Sequence, residues 1–440
     1  MTTEERRAPE MTLSKSYPAL NPPREPQSST PLLPVAVVSL FALGLLLRLA
    51  AVFYFGDFTN PVTAEYGITA RNLAEGRGFI GGAWFGPEAP TALNAPAYVV
   101  LLAASMKYFG AQAYLALEIA QALLSALLPL LIHRLARLLF DRRVAFISFL
   151  VAVAYPPFIY FPKQISPAVL TTLAAVLAVL SILELARRRG LVSSLLIGLV
   201  LGLVALIEPI GVIMAIGVGA LLRRSLSFRS VALAATVALL VVLPWEIRNY
   251  VEFGAVVPIK TSFGLNLWFG NNPYATGYLF TADGRPMAAV LDPGLAEELS
   301  NMDEVQRYAA LARQALGWIV GNPMEFAELS LRRVFYFWWT SPTVDVASFQ
   351  AYEPPYLYKL QVILLAPFLV LGAAGACWAY RRNRQSFSVL IWWLASFTLV
   401  YAVSVAANSR FRLPAEPALI VLSAYAAVAI STYIARRLHL

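Results

Sequence analysis

FGDFTNPVTAEYGITARNLAEGRGFIGGAWF, residues Phe55 to Phe85, is a polar, acidic and glycine-punctuated stretch in a chain otherwise made of long apolar runs. It follows directly on the first of those runs, which begins near Pro34. A helix needs about 20 mostly apolar residues to cross a bilayer, and the chain supplies many such runs between short basic segments. The stretch is therefore predicted to be the first loop between membrane-spanning helices. We expect any chemistry to lie close to its carboxylates, Glu65 and Asp57.

The composition places the chain among integral membrane proteins. Of its 440 residues, 59% are hydrophobic and only 13% are charged, which leaves too little polar surface for a water-soluble globule. The formal net charge of +9 does not indicate nucleic-acid binding, because the arginines sit in small groups where the positive-inside rule accounts for them. The single cysteine, Cys377, excludes an intrachain disulfide and a zinc–thiolate cluster.

The predicted fold is an all-α polytopic membrane protein with about ten transmembrane helices. The expected spans lie near residues 34–55, 114–132, 144–161, 168–186, 191–207, 210–222, 231–245, 357–380, 387–406 and 413–435. Residues 95–109 are apolar but short for a crossing, which favours a juxtamembrane or re-entrant helix. Residues 303–320 and 324–339 are predicted helices of a partly helical region between spans seven and eight.

The chain is expected to have four parts. Residues 1–33 are rich in proline and are predicted to form a disordered cytoplasmic tail. Residues 34–245 form an N-terminal transmembrane module that contains the first outer loop, 56–94. Residues 246–356 form an outer region, and residues 357–440 form the C-terminal transmembrane helices.

Arginine groups predict which face each turn occupies. They lie at residues 134–143, 187–189, 223–229, 381–384 and 436–437, and the positive-inside rule makes these turns cytoplasmic. Both termini are then cytoplasmic, and the first loop and the outer region share the opposite face. The predicted location is the inner membrane of a bacterium, with the outer face in the periplasm.

The outer face has no histidine available for acid–base chemistry. The two histidines, His133 and His439, are both predicted to be cytoplasmic, so proton transfer on the outer face would fall to carboxylates. Within the spans, Glu118 and Glu208 are costly, at about 2.5 to 3.5 kcal/mol each on insertion scales. Glu208 lies at a predicted outer end. Glu118 lies about one turn inside the span, where its carboxylate is either solvated or paired with Arg48.

The first loop contains a short predicted helix, residues 63–74. Glu65, Thr69 and Asn72 fall on its polar face, and Tyr66 lies on the adjacent apolar face. The helix either directs Glu65 into a cavity above the bundle or is a solvated helix at the membrane interface. From the residues alone these two alternatives are about equally supported.

Basic residues at outer span ends are candidates for binding a lipid phosphate, because guanidinium groups offer paired donors and stay charged. They are Arg248, Lys260, Arg332, Arg333, Arg410 and Arg412. The alternative for all of them is ordinary contact with lipid headgroups. Arg410 and Arg412 are the stronger candidates, because two arginines close together on the outer side are contrary to the positive-inside rule. Glu88, in a proline-rich loop, is a weaker substrate-binding candidate.

Three blocks of sequence resemble a known group of enzymes. The blocks are EYGITARNLAEGRGF with the following NAPAYVVLLAA, then PWEIRNYVEFGAVVPIKTSFGLNLWFGNNPYATG from Pro244 to Gly277, and NSRFRLPAEPALIVL from Asn408 to Leu422. Together they resemble the C-type integral membrane glycosyltransferases that use polyprenol-phosphate sugars, in particular the bacterial family 39 group related to protein mannosyltransferases and aminoarabinose transferases.

The resemblance implies an all-helical bundle with an outer catalytic cavity and an inverting transfer of a sugar from an undecaprenyl- or dolichyl-phosphate donor. A first-loop carboxylate would deprotonate the acceptor hydroxyl, and basic residues would stabilise the departing phosphate. Several members carry an Asp-Glu pair at the positions of Val62 and Thr63. This chain lacks that pair, and Glu65 and Asp57 are the nearest carboxylates. Glu65 is our first choice of base and Asp57 the second.

The predicted partners are a polyprenyl-phosphate-linked sugar, membrane lipids and an acceptor that is a lipid, a glycan or a protein. No cofactor is predicted; a divalent metal is an alternative that we do not predict. Two other classes stay open, a lipid-linked sugar transporter or flippase and a non-catalytic membrane scaffold. A transporter predicts polar residues throughout the spans or broken helices in matched halves, and neither is evident.

Overall fold

The computed structural model describes residues 32–82, 84–188, 190–339, 355–404 and 409–437. The predicted tail before residue 32, the segment 340–354 of the predicted outer region, and His439 lie outside the described residues.

The described chain is almost entirely helical. Its helices are α1 Leu32–Phe55, α2 Ala64–Ala74, α3 Pro96–Phe109, α4 Ala113–Leu139, α5 Arg142–Ala154, α6 Pro156–Tyr160, α7 Ala168–Arg187, α8 Leu191–Ile207, α9 Ile210–Leu221, α10 Phe228–Phe253, α11 Ser262–Gly270, α12 Pro293–Ser300, α13 Glu304–Gly321, α14 Pro323–Trp338, α15 Pro355–Arg382, α16 Arg384–Val403, α17 Ser409–Arg412 and α18 Glu416–Arg437. Strands β1 Ile80–Gly82 and β2 Glu88–Pro90 pair antiparallel. This hairpin was not predicted.

Within the described residues, seven helical stretches are long and apolar enough to cross a membrane, and eight if α5 and α6 form one bent span. The chain is therefore an integral membrane protein, but ten spans are not confirmed. The difference lies mainly in α8 and α9, which are apolar but only 17 and 12 residues long. The bend of 49° between α5 and α6 falls before Pro156, which removes a backbone donor.

The core of the bundle is built around α7. This helix is apolar on all sides, which is typical of a helix surrounded by others, and 89% of its span is buried, compared with 6% for α10. The elements that pack most closely against α7 are α4, α8 and α9, together with the turn Leu413–Ala415. Because the apolar surface of α10 is exposed, it lies at the edge, where lipid would cover it.

The bounds of α10 correct one prediction. The span was expected to end at Trp245, where polar residues begin, but the helix continues to Phe253 and ends at Gly254 in the left-handed conformation, φ 63°. Pro244 does not break it. The first polar residues of the predicted outer region therefore still belong to a helix that rises out of the bundle.

The first loop, residues 56–94, packs against residues 254–339, and we call this side of the molecule the loop face. Glu304 of α13 joins the two segments. Its carboxylate accepts hydrogen bonds from the Thr91 hydroxyl at 2.5 Å, the Ala92 N–H at 2.8 Å and the Thr261 hydroxyl at 2.6 Å. Glu304 is only 4% exposed, so these bonds are sheltered from water. The predicted co-location of the two polar segments is confirmed by these contacts.

Candidate active site

Glu65 lies in the first turn of α2, where a carboxylate interacts favourably with the helix N-terminus. Its side chain is half-buried, and no described residue donates a hydrogen bond to its carboxylate. The next residue, Tyr66, packs edge-to-face on Tyr98 of α3, with ring centroids 5.3 Å apart. Glu65 also acts electrostatically on Tyr308 of α13. The helix thus holds its apolar side against α3 and leaves the Glu65 carboxylate available to a ligand.

Asp57 follows α1 and closes a turn of the first loop. Its Oδ1 accepts three hydrogen bonds, from the Thr59 N–H at 3.0 Å, the Thr59 hydroxyl at 3.1 Å and the Asn60 N–H at 3.0 Å. The backbone donors of Asn60 and Thr59 hold the pKa of Asp57 below its usual value, because they stabilise the charged form. Asp57 is therefore a weaker base than an unperturbed carboxylate.

Glu118, at the head of α4, is fully buried, and neither carboxylate oxygen has a hydrogen-bond partner among the described residues. It faces Gly56, where a Cβ atom would lie 2.4 Å from Glu118 Oε2. Asp57 and Lys163 are the charged groups that act on it. Burying a carboxylate without a hydrogen-bond partner costs free energy. Packing within the bundle does not account for that cost.

Arg48 does not pair with Glu118, so one of the two alternatives considered for Glu118 from the sequence, an ion pair with Arg48, is wrong. Its guanidinium donates to the Ser125 hydroxyl and to the carbonyl oxygens of Gly44, Ala152 and Val153, at 2.8 to 3.2 Å. Arg48 thereby joins α1 to α4 and α5 and has a structural role.

Arg410, in α17, lies in the same part of the molecule as the first loop. Both Arg410 and Tyr66 act electrostatically on two tyrosines, the buried Tyr98 of α3 and the half-buried Tyr401 of α16. The Tyr98 hydroxyl has no hydrogen-bond partner within the described chain. We call Glu65, Tyr66, Tyr98, Tyr401 and Arg410 the tyrosine cleft. It brings Tyr66, the residue next to the first-loop carboxylate Glu65, and an arginine from the far end of the sequence within electrostatic range of the same two tyrosines.

Arg333 and Arg412 are buried and hold the backbone together. Arg333 is completely buried and donates to the carbonyl oxygens of Ala402 at 2.7 Å and Val403 at 3.0 Å, and to that of Gly270. Burial lowers the pKa of Arg333 to about 10. Arg412 pairs with Glu416 at 2.7 Å. Because backbone carbonyls and a carboxylate already accept hydrogen bonds from these two arginines, both are poorly placed to bind a lipid phosphate, which is the role predicted for them from the sequence.

Two more of the predicted site residues, Lys260 and Asn72, have local partners. Lys260 forms an ion pair with Glu208 at 3.0 Å. Asn72 is buried and donates to the Ile80 carbonyl at 2.8 Å, which fastens the end of α2 to β1. Glu88 is exposed on β2. None of these contacts requires a ligand.

Arg248 fastens the first loop to α10. Its two terminal nitrogens donate to the carbonyl oxygens of Thr91 and Phe79, each at 2.9 Å, and its guanidinium lies 5.1 Å from the ring of Trp245. Such a clamp sets the position of the loop that carries Glu65.

Replacing Arg248 with alanine is expected to loosen the first loop without unfolding the bundle. Hydrogen bonds to charged groups contribute about 1.5 to 3 kcal/mol each, so amide exchange at residues 79–92 should accelerate roughly ten- to hundredfold. Hydrogen exchange measured by mass spectrometry would show this. Arg229→Ala, an exposed arginine at the other end of α10, serves as the matched control, and equal exchange in both variants would contradict the clamp.

Lys163 is a further candidate site residue, which was not singled out from the sequence. It lies at the end of the turn that follows α6, half-buried, 4.7 Å from the ring of Tyr160, and it acts on both Asp57 and Glu118. The signal that singled out Arg410, a basic residue at a predicted outer span end, applies to Lys163 as well. In the part of the chain that the structure describes, no group of three or more His, Cys, Asp or Glu side chains is arranged to hold a metal ion.

Comparison with known proteins supports the resemblance noted above. Residues 93–247 match the family described as dolichyl-phosphate-mannose-protein mannosyltransferase. No curated protein matches the chain significantly. Among solved structures, the oligosaccharyltransferase of Archaeoglobus fulgidus superposes in its apo form with a TM-score of 0.55 at 17% identity, over 92% of this chain and 52% of that one.

The same archaeal enzyme tethered to an acceptor peptide containing the NVT sequon gives a TM-score of 0.54 at 15% identity, over 91% of this chain and 50% of that one. ArnT of Cupriavidus metallidurans bound to undecaprenyl phosphate gives 0.43 at 14% identity, over 91% and 80%. The chain thus spans about half the length of the archaeal oligosaccharyltransferase. It shares the fold of the archaeal oligosaccharyltransferase, which is that of the C-type membrane glycosyltransferases, and its residues 93–247 match the protein mannosyltransferase family.

Proposed function

We propose that this protein is an inverting glycosyltransferase that moves a sugar from a polyprenyl-phosphate donor to a hydroxyl acceptor on the outer face of the membrane. The observation that carries the proposal is the tyrosine cleft, where Arg410 and Tyr66 of the first-loop helix act electrostatically on the same two tyrosines, Tyr98 and Tyr401, and Tyr66 packs on Tyr98. The match of residues 93–247 to a family whose description names a dolichyl-phosphate sugar supports this class of donor.

The chemistry needs one base and at least one cation. The acceptor oxygen attacks the anomeric carbon while the bond from that carbon to the phosphate oxygen breaks, and the bonding electron pair leaves with the polyprenyl phosphate. The acceptor proton goes to Glu65, which acts as general base. Arg410 stabilises the negative charge that grows on the leaving phosphate. A single displacement from the face opposite the phosphate inverts the anomeric centre.

Asp57, Glu118 and Lys163 form a second polar group beside the cleft. Asp57 Oδ2 accepts no hydrogen bond from the described chain, and both oxygens of Glu118 are unused. These oxygens are suited to accept hydrogen bonds from sugar hydroxyls, and Lys163 adds a positive charge for the phosphate. In this proposal both termini are cytoplasmic, the loop face is periplasmic, and the acceptor is a lipid, glycan or protein.

Reconstitution in liposomes with undecaprenyl- or dolichyl-phosphate carrying radiolabelled mannose tests the function. We expect the label to leave the lipid and to appear on a hydroxyl acceptor or on water. Label that crosses the bilayer while still attached to the lipid would instead identify a transporter. Label that neither moves nor transfers, in a protein that still binds the donor lipid, would favour the scaffold.

Replacing Arg410 with glutamine is expected to lower kcat/KM for the lipid donor roughly ten- to hundredfold, because a hydrogen bond to a charged group contributes about 1.5 to 3 kcal/mol. Arg410→Lys should recover part of the activity. The control is Arg285→Gln, an exposed arginine that pairs with Asp283. Equal kinetics for Arg410→Gln and the control would remove Arg410 from the site.

A further inference from the structure

A cavity of about 450 Å³ opens at the end of the bundle that carries the arginine-rich turns, between the C-terminal ends of α4 and α7. The charged and titratable side chains that line it are His133, Arg134, Arg137, Glu184, Arg187 and Arg188. Along α4, Arg137 lies 19 residues beyond Glu118, about 28 Å at 1.5 Å per residue. The cavity is therefore remote from the tyrosine cleft.

The walls of this cavity are fixed by a shared carboxylate. Arg134 Nε donates to Glu184 Oε1 at 3.0 Å, and Arg188 Nε donates to Glu184 Oε2 at 2.9 Å. One carboxylate thus holds two guanidinium groups in place. Because four arginines line the cavity beside a single acid, a positive charge remains that no lining residue neutralises.

The other two arginines have unused donors. Arg187 Nη2 reaches the Leu138 carbonyl at 3.3 Å, but its Nε is buried and has no hydrogen-bond partner among the described residues. Arg137 is exposed and donates to no group in the described chain. A buried donor without an acceptor is costly, so an anion that accepts from Arg187 and Arg137 would relieve that cost.

We propose that this cavity binds a phosphate group whose negative charge is not balanced within the ligand itself, presented by an anionic lipid headgroup or as a free phosphate. Guanidinium groups match phosphate oxygens in pairs, and the cavity opens beside apolar helices, where a lipid headgroup would lie. The arginine groups predict that this face is cytoplasmic, and the cytoplasmic leaflet carries anionic lipids. The site combines a cavity with a positive charge that its own lining residues leave unbalanced.

Native mass spectrometry of the full-length protein, with phosphatidylglycerol and phosphatidylcholine as probes, tests the site. We expect retention of phosphatidylglycerol over phosphatidylcholine, and at least a tenfold loss of that retention in Arg137→Gln/Arg187→Gln. The single variant Arg137→Gln removes an exposed side chain that has no hydrogen-bond partner among the described residues, so it keeps the test valid if the double variant folds poorly. The matched control is Arg223→Gln/Arg229→Gln, which changes two arginines of the same predicted face outside the cavity.

A second arm adds inorganic phosphate. Displacement of the lipid by millimolar phosphate would identify free phosphate as a ligand. If phosphate does not displace the lipid, the lipid is the ligand. Either result supports a phosphate site. Equal retention by wild type and by Arg137→Gln/Arg187→Gln, or equal retention of the two lipids, would overturn the proposal. Sugar transfer on the opposite face is expected to be unchanged in these variants, so the result is independent of the proposed glycosyltransferase activity.

Discussion

Sugar transfer is expected to fall by about 10²- to 10⁴-fold when Glu65 is replaced by glutamine, the range typical for the loss of a general base. Glutamine keeps the shape of the side chain but cannot take the acceptor proton. Because the Glu65 carboxylate has no protein partner to lose within the described chain, folding and donor binding should stay near wild type. Turnover of labelled lipid-linked sugar and binding of the lipid would be measured on the same preparation.

Asp57→Asn is the comparison that separates the two candidate bases. Asparagine retains the Oδ1 acceptor for the Thr59 and Asn60 N–H groups, so the turn should persist. The lowered pKa of Asp57 makes it the poorer base, and we expect a smaller loss of transfer than for Glu65→Gln. Full turnover in Glu65→Gln together with loss in Asp57→Asn would assign the base to Asp57, and full turnover in both would exclude both.

Arg412→Ala is expected to destabilise the protein by about 3 to 5 kcal/mol, the range for removing one partner of a buried ion pair. Arg412 and Glu416 are 4% and 1% exposed, so alanine would leave the carboxylate buried without its cation. The change also removes the hydrogen bond to the Phe337 carbonyl. Unfolding of the detergent-solubilised protein by heat or denaturant would measure the effect.

The chain offers a matched control with the same spacing. Arg332 and Glu328 form an i,i+4 pair that is 49% and 61% exposed, so Arg332→Ala should cost less than about 0.5 kcal/mol. Replacing both buried partners, as Arg412→Met/Glu416→Leu, should restore much of the stability, because well-packed apolar residues avoid the desolvation penalty. Equal losses for Arg412→Ala and Arg332→Ala would contradict the buried pair.

Helices were predictable here because long apolar runs and basic turns are local signals. The helix over residues 304–321, the helix over 323–338 and α2 were all predicted to within a few residues of their bounds. The number of spans was harder, because α8 and α9 are apolar but short, and composition alone does not say whether a short helix crosses a bilayer.

The candidate site was only partly predictable, because sequence does not show which way an arginine faces. Arg410 and Arg412 are two residues apart, which is about 200° around a helix. One lies in the tyrosine cleft and the other is buried against Glu416. The same holds for the exposed Arg332 and the buried Arg333. Neighbouring charges of one type thus have different roles that depend on tertiary packing.

Glu118 and Lys163 show a different limit. Each was visible as a charged residue near a span end, but their proximity to Asp57 depends on how α1, α4 and the turn after α6 meet. No local pattern encodes a contact between residues that are about 60 to 100 positions apart along the chain.

The Glu304 contacts also constrain how the protein is made. Thr91 and Glu304 are 213 residues apart, so at 5 to 20 residues per second the first loop leaves the ribosome roughly 10 to 40 s before its acceptor exists. During that interval α1, α4 and α7 can already be inserted, while the loop lacks its bonds to Glu304. Nascent chains that end before residue 248, which contain neither Arg248 nor Glu304, should therefore hold an inserted but protease-sensitive first loop, and assembly of the loop face is a late, long-range step of biogenesis.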